Sequence, residues 1–165
     1  MNETKLRKHR CCFTGHRPEK LKITEKQLTE MLETEIRKAV AGGFTTFITG
    51  MAKGTDLVAA EIVLRLREQD DRLKLICALS HPGFGLRWGG GWMERFQRAL
   101  AAADLARTIC SSFSYVSYQI RNEWMVDHSS LVIGVFNGER GGTKNTLDYA
   151  KRVGIPCVVI RAGNL

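Results

Sequence analysis

Residues 11–21 read CCFTGHRPEKL: four apolar or small residues that run into Gly15-His16-Arg17-Pro18. A short unbroken apolar run, closed by a glycine and a proline, is the pattern of a strand buried on both faces. The loop that ends it carries backbone and cations away from the sheet.

The chain then alternates. Thr24 starts a helix with Gln27 at the capping-box position, Leu28, Leu32, Ile36 and Val40 form its buried stripe, and Gly42-Gly43 end it. FTTFITG (44–50) reads as a strand, DLVAAEIVLRLREQD (56–70) as a helix, LKLICALS (73–80) as a strand and WMERFQRALAAAD (92–104) as a helix after a glycine-rich turn. ARTIC (106–110) follows as a short strand, 118–128 as a helix, LVIGVF (131–136) as a strand, 146–152 as a helix and CVVI (157–160) as a last strand. Such alternation, without an internal repeat or a linker, predicts an α/β protein. Residues 1–165 form a single domain, with a mostly parallel sheet and helices on both faces. Residues 1–9 read as a flexible basic N-terminus.

The 165 residues are 44% hydrophobic and 25% charged, the composition of a globular domain with one core. No apolar run approaches the roughly 18 residues of a membrane helix, and Met1 to Arg10 lacks the apolar segment of a secretory signal. The expectation is a cytoplasmic protein without a membrane partner. An odd count of five cysteines, without a C-x-x-C pair, argues against a disulfide framework. Cys11, Cys77, Cys110 and Cys157 read as core residues; strand alternation puts Cys12 on the face opposite Cys11. His9, His16, His81 and His128 lack metal-ligand spacing, so no metal is expected. A net charge of +8 suits an anionic small ligand or nucleic acid, although the basic residues are scattered.

In parallel sheets ligands bind beyond the carboxyl ends of the strands. There the sequence places Thr14-Gly15-His16-Arg17, then Gly50-Met51-Ala52-Lys53-Gly54-Thr55-Asp56, then Ser80-His81-Pro82-Gly83, and finally a loop with Arg140-Gly141-Gly142-Thr143 and Thr146. Glycines admit a ligand to the backbone, helix N-termini offer free N–H groups, and hydroxyls and cations add donors, so phosphate is the predicted guest. Neither GMAKGTD nor GGTKNT is a P-loop or a G-x-G-x-x-G motif, so kinase-type hydrolysis and dinucleotide hydride transfer are not indicated. Arg17 and Arg121 offer planar forks to phosphate or carboxylate. Asp56 either accepts from ribose hydroxyls or caps the helix that follows. His16 donates to phosphate, carries a proton or fills the turn, and Asn122 orders its loop. Trp88 and Trp92 flank a glycine-rich turn, where they stack a base or close over the pocket. Trp92 and Phe96, four apart, also read as core packing.

Together FTGHRPEKL, TGMAKGTDLVAAE and RNEWMVDHSSLVIGVFNGERGGTKNTLDYAKRVGIP resemble the YpsA-like family of the SLOG superfamily, relatives of the DNA-processing protein DprA and the LOG phosphoribohydrolases. The resemblance covers about residues 10–160. It implies a Rossmann-like domain that binds a nucleotide or nucleotide-derived ligand, such as ADP-ribose or NAD, and a tendency to form homodimers. Carried over, the family's motifs fall on Thr14, Gly15, His16 and Arg17; on Gly50, Ala52, Gly54 and Asp56; on Arg121, Asn122 and Ser129; and on Gly141, Gly142, Thr143 and Thr146. The region HPGFGLRWGGGWMERF keeps Pro82 and Trp88 but not the glutamine that relatives carry between them. LOG relatives carry P-G-G-x-G-T-x-x-E; here Arg140 replaces the proline before the glycine pair, Thr146 follows one position later than the motif's threonine, and three residues after Thr146 comes Tyr149 in the glutamate's place, with Asp148 one position off. The resemblance therefore implies a nucleotide-binding sensor or regulatory module first. An N-glycosidic nucleotide hydrolase using Asp148 or Glu123 comes second, and a DprA-like binder of single-stranded DNA third.

Overall fold

Strand β1 (Arg10–Gly15) occupies the middle of the sheet, where Cys11, Cys12 and Phe13 have no exposed surface. Cys11 and Phe13 belong to one core cluster and Cys12 to another, so the strand separates two apolar layers. That two-faced burial is why its sequence is continuously apolar.

The computed structural model describes residues 2–163. Around β1 stand α1 (Glu3–Arg7), α2 (Glu25–Ala41), β2 (Thr46–Thr49), α3 (Thr55–Arg67), β3 (Lys74–Leu79), α4 (Trp92–Ala102), β4 (Leu105–Thr108), α5 (Ser117–Asp127), β5 (Leu131–Phe136), α6 (Gly142–Arg152) and β6 (Cys157–Arg161). The six strands form one sheet in the order β4-β3-β2-β1-β5-β6, and every pairing is parallel. It is a Rossmann-like α/β fold. Helices α2, α3 and α4 cover the face that carries Phe13, Phe47 and Ile133, and α5 and α6 cover the face that carries Cys12, Ile48 and Val132.

Local signals account for the helix ends. Thr24 Oγ1 accepts from Gln27 N at 3.1 Å and Gln27 Oε1 from Thr24 N at 2.9 Å, completing the capping box, worth about 1 kcal/mol. Leu28, Leu32 and Ile36 are buried beneath α2 as the stripe predicts, and Ala39 rather than Val40 completes it. Helix α6 begins at Gly142, four residues before the predicted start at Thr146, because two glycines that read as loop serve as the N-cap and first turn.

The basic N-terminus, expected as a flexible tail, forms helix α1. Arg7 Nε donates to the Ser129 carbonyl at 2.9 Å, and Ser130 Oγ donates to the Arg7 carbonyl at 2.8 Å, tying α1 to the amino-terminal edge of the sheet. Burial pushes the Cys12 and Cys77 thiols up to about 12, which leaves them unreactive packing groups. Among the described residues no helix is long and apolar enough to cross a membrane.

Leu32 has no exposed surface at the centre of α2. Leu32→Ala is expected to cost about 2–5 kcal/mol through lost transfer energy and a residual cavity, lowering the urea midpoint without changing the slope of the transition. A loss under about 1 kcal/mol on that measurement would contradict the packing described.

Candidate functional site

The chain runs outward from β1 through β2 and β3 to β4, then crosses back so that β5 lies on the other side of β1. Loops after β1 and β5 therefore diverge toward opposite faces, and a crevice opens between them at the carboxyl ends of the strands. A cavity of about 250 Å³ occupies this position. Thr14, Gly15, His16 and Arg17 form its floor from β1, Ala52 and Asp56 enter from the start of α3, Arg121 and Asn122 from α5, and Gly141, Gly142 and Thr143 from the start of α6.

Close approach of backbone explains two of the glycines. A Cβ on Gly15 would lie 2.3 Å from Thr55 Oγ1, and one on Gly50 would lie 2.7 Å from the Arg121 guanidinium. Arg121, only 3% exposed, donates from Nη1 to the Gly50 carbonyl at 2.5 Å and the Ala78 carbonyl at 3.3 Å, and from Nε to Asn122 Oδ1 at 2.9 Å. Its Nε and Nη1 are engaged by these partners, whereas Nη2 has no acceptor among the described residues, so the side chain is anchored in the wall with one end of its fork unengaged. Next to Gly50, Met51 holds φ 63, the single non-glycine residue with positive φ among the described residues.

Asp56 is 5% exposed. Gly54 is the N-cap of α3, and the Asp56 carboxylate instead accepts from Ala52 N at 3.3 Å through Oδ2, bracing the loop before the helix. Oδ1 is buried without a hydrogen-bond partner among the described residues, as is His16 Nε2. Burial pushes the Asp56 carboxyl up to about 6 against the pull of Arg121, the Ala52 N–H and Arg17. The Arg121 guanidinium is in turn pushed down by burial against the pull of Asp56, so desolvation outweighs attraction on both partners, while arginine stays charged. Burial, then Lys20, lowers the His16 pKa, which leaves a neutral imidazole stacked on Phe136 at 5.7 Å.

Four cations line the cavity (Arg17, Lys20, Arg121 and Arg140) against two carboxylates, Glu19 and Asp56. No acceptor among the described residues engages the side chains of Arg17, Lys20 or Arg140. The first-turn N–H groups of α6, at Gly142 and Thr143, lack helical acceptors and carry the positive end of the helix dipole. A concave surface with net positive charge, free N–H groups and buried unpaired donors and acceptors is equipped to hold an anionic, hydroxyl-bearing molecule.

The other expected residues lie outside the cavity lining. Gly50 and Gly54 stand behind it, and Thr146 Oγ1 donates to the Gly142 carbonyl at 2.7 Å inside α6. Trp88 packs edge-on against Phe84 at 5.0 Å and Phe96 at 5.6 Å, beyond the cavity wall. Phe96 is core, whereas Trp92 is half-buried under the Arg95 guanidinium. Ser129 precedes β5 at the opposite edge of the sheet. Sequence reasoning did not single out Glu19, Lys20, Tyr118 or Arg140 as ligand-binding residues, although all four line the cavity; Arg140 stood in a strand-end loop and in the place of a proline, and Tyr118 carried no signal. A wider cleft of about 560 Å³ runs beside β6, lined largely by Leu147, Ile155, Cys157 and Val159. It lies away from the strand-end loops and their buried polar groups, so the functional reading rests on the smaller cavity.

Fold and site together define a Rossmann-like α/β protein with a polar crevice at the switch point of its sheet. The sequence model of the YspA SLOG family (YpsA) matches residues 11–155, and the chain belongs to that family. It is similar to the SPbeta prophage-derived protein YoqJ of Bacillus subtilis (strain 168), 32% identical over 118 residues that cover 64% of this chain and 69% of that protein. Among solved structures it is similar in fold to DNA processing protein A of Streptococcus pneumoniae, with TM-score 0.68, 18% identity, and 99% of this chain against 54% of that one. DNA processing protein A of Helicobacter pylori, which binds single-stranded DNA, gives TM-score 0.65 and 17% identity, over 95% of this chain and 66% of that one. The chain thus spans about half to two thirds of these DNA-processing proteins.

The folded Asp56 carboxyl titrates at about 6 against an ordinary 3.8. Between those values the folded chain keeps a proton on Asp56 that the unfolded chain has lost, so the contribution of Asp56 to stability falls as pH rises through that window and levels off above it. Asp56→Asn is expected to flatten this fall. Urea midpoints measured across the window for both proteins check it, and parallel curves would remove Asp56 as the source.

Proposed function

We propose that this protein binds a nucleotide or nucleotide-derived ligand of the ADP-ribose or NAD kind, as a sensor or regulatory module. The observation that carries the reading is the convergence, at the switch point of the sheet, of the α6 N-terminus, the unpaired cations Arg17, Lys20 and Arg140, and the buried unpartnered atoms of His16 and Asp56. Phosphate suits the helix N-terminus and the cations, and ribose hydroxyls suit Asp56 Oδ1 as donors to an acceptor.

The residues weighed for N-glycosidic hydrolysis argue for binding over turnover. Asp148 pairs with Lys144 at 2.7 Å on the surface of α6, Tyr149 Oη donates to Asp127 at 2.6 Å, and Glu123 accepts from Gln119 at 2.9 Å. None of the three lines the cavity. The remaining carboxylate suited to acid or base work is Asp56, whose raised pKa and free oxygen favour hydrolysis as the second reading. Release of free base from AMP, NAD or ADP-ribose, abolished in Asp56→Asn, would establish it. Single-stranded DNA is the third reading, supported by similarity in fold to the Helicobacter pylori protein and by the net charge of +8. It requires binding that weakens steeply with salt.

Arg17 is half-exposed, so Arg17→Ala leaves the core intact. In a thermal-shift series with AMP, ADP-ribose and NAD, ligand at about 100 times its dissociation constant adds about 2.7 kcal/mol to the wild type, a rise of several degrees. The variant is expected to melt as the free wild type does and to lose the ligand-induced rise. An equal rise in both proteins would remove Arg17 from the site.

A further inference from the structure

The loop between β4 and α5 carries aromatic surface that the phosphate cavity does not use. Tyr118, which lines the cavity, lies 6.2 Å from Phe113, and Phe113 lies 6.2 Å from Tyr115. Phe113 is 55% exposed and Tyr115 98% exposed. Large apolar rings held in water are costly unless something covers them.

These rings are held in place from below. Ser117, fully buried, accepts from Ser114 N at 2.8 Å and donates to the Ser112 carbonyl at 3.3 Å, fixing the backbone on both sides of Phe113. His81 meets Phe113 at 5.1 Å and Tyr118 at 5.9 Å, and its Nδ1 is hydrogen-bonded to Ser80 Oγ at 2.8 Å. Phe113 meets Tyr115 at 66° and Tyr118 at 63°, edge to face, so neither pair is stacked flat face on flat face.

Resting on the phosphate reading above, we propose that Phe113, Tyr115 and Tyr118 form the base-stacking subsite of the same ligand, taking a planar nucleobase whose phosphate sits at the α6 N-terminus. Two features favour a base over a protein partner. The platform is continuous with the cavity through Tyr118, and a nucleotide places its base one sugar away from its phosphate. Stacking is tolerant of base identity, so the subsite accepts a base from a free nucleotide or from a single strand.

The test uses the whole protein as wild type and as Phe113→Ala/Tyr115→Ala, titrated calorimetrically with AMP, ribose 5-phosphate and a short single-stranded oligothymidylate. Exposure of both rings predicts that the variant folds, which its thermal melt verifies. The expected result is a loss of about tenfold in AMP affinity with ribose 5-phosphate unchanged, the size of one lost base stack. A parallel loss for an oligothymidylate that binds more tightly than AMP supports the subsite with a strand as the source of the base. Equal AMP affinity in both proteins overturns the subsite while leaving the phosphate site standing, and a simultaneous change in sedimentation would assign the rings to a second copy of the chain. A wild type that binds none of the three probes overturns the phosphate reading and the subsite with it.

Discussion

A guanidinium buried to 3% exposure is the constraint around which this molecule is arranged. Arg121 cannot shed its charge, so its buried donors need acceptors inside the protein, and Nε and Nη1 find the side chain of Asn122 and the carbonyls of Gly50 and Ala78. Those acceptors lie at the ends of β2 and β3 and within α5, so one side chain ties α5 to the ends of two neighbouring strands. Gly50 is required because any Cβ there would occupy the space of the guanidinium. Asp56, buried nearby, supplies the opposing charge, and neither group recovers its full cost of desolvation.

This bracing sets what remains available to a ligand. Nε and Nη1 of Arg121 are held by the scaffold, whereas the side chains of Arg17, Lys20 and Arg140, from loops and the short turn after β1, have no acceptor among the described residues. Asp56 is divided in the same way: one oxygen braces the loop before α3, and the other is buried without a partner among the described residues. The rigid part of the site is therefore built from groups that have met their internal partners, and its capacity for recognition lies in those that have not.

Much of this architecture is legible in the sequence. Continuous apolar runs in CCF and LVIGVF announce central strands because such strands are buried on both faces, and the Thr24–Gln27 box announces α2 because orphaned N–H groups need acceptors. Thr14 to Arg17, Ala52, Asp56, Arg121, Asn122 and Gly141 to Thr143 were readable as candidate site residues, and all eleven line the cavity. Less legible was the division of labour among them. Gly50, Gly54 and Thr146 share the same motifs yet stand behind the wall. Trp88, whose place beside a glycine turn suggested stacking, is held among Phe84 and Phe96.

Sequence by itself determined the alternation of strand and helix, the two-faced core and the edge of the sheet at which polar loops gather, because periodicity, capping and glycine placement are local properties of the chain. Tertiary structure alone decided that α5 returns across the sheet to set Arg121 against Gly50, that Tyr118 reaches the cavity, that α1 docks on the far edge, and that Asp148 and Tyr149 face away. Those outcomes depend on which distant groups meet once the parallel strands are in register. Desolvation, hydrogen-bond satisfaction and steric contact then act between residues far apart in the chain, 71 positions from Arg121 to Gly50 and 122 from Arg7 to Ser129, beyond the reach of any local pattern.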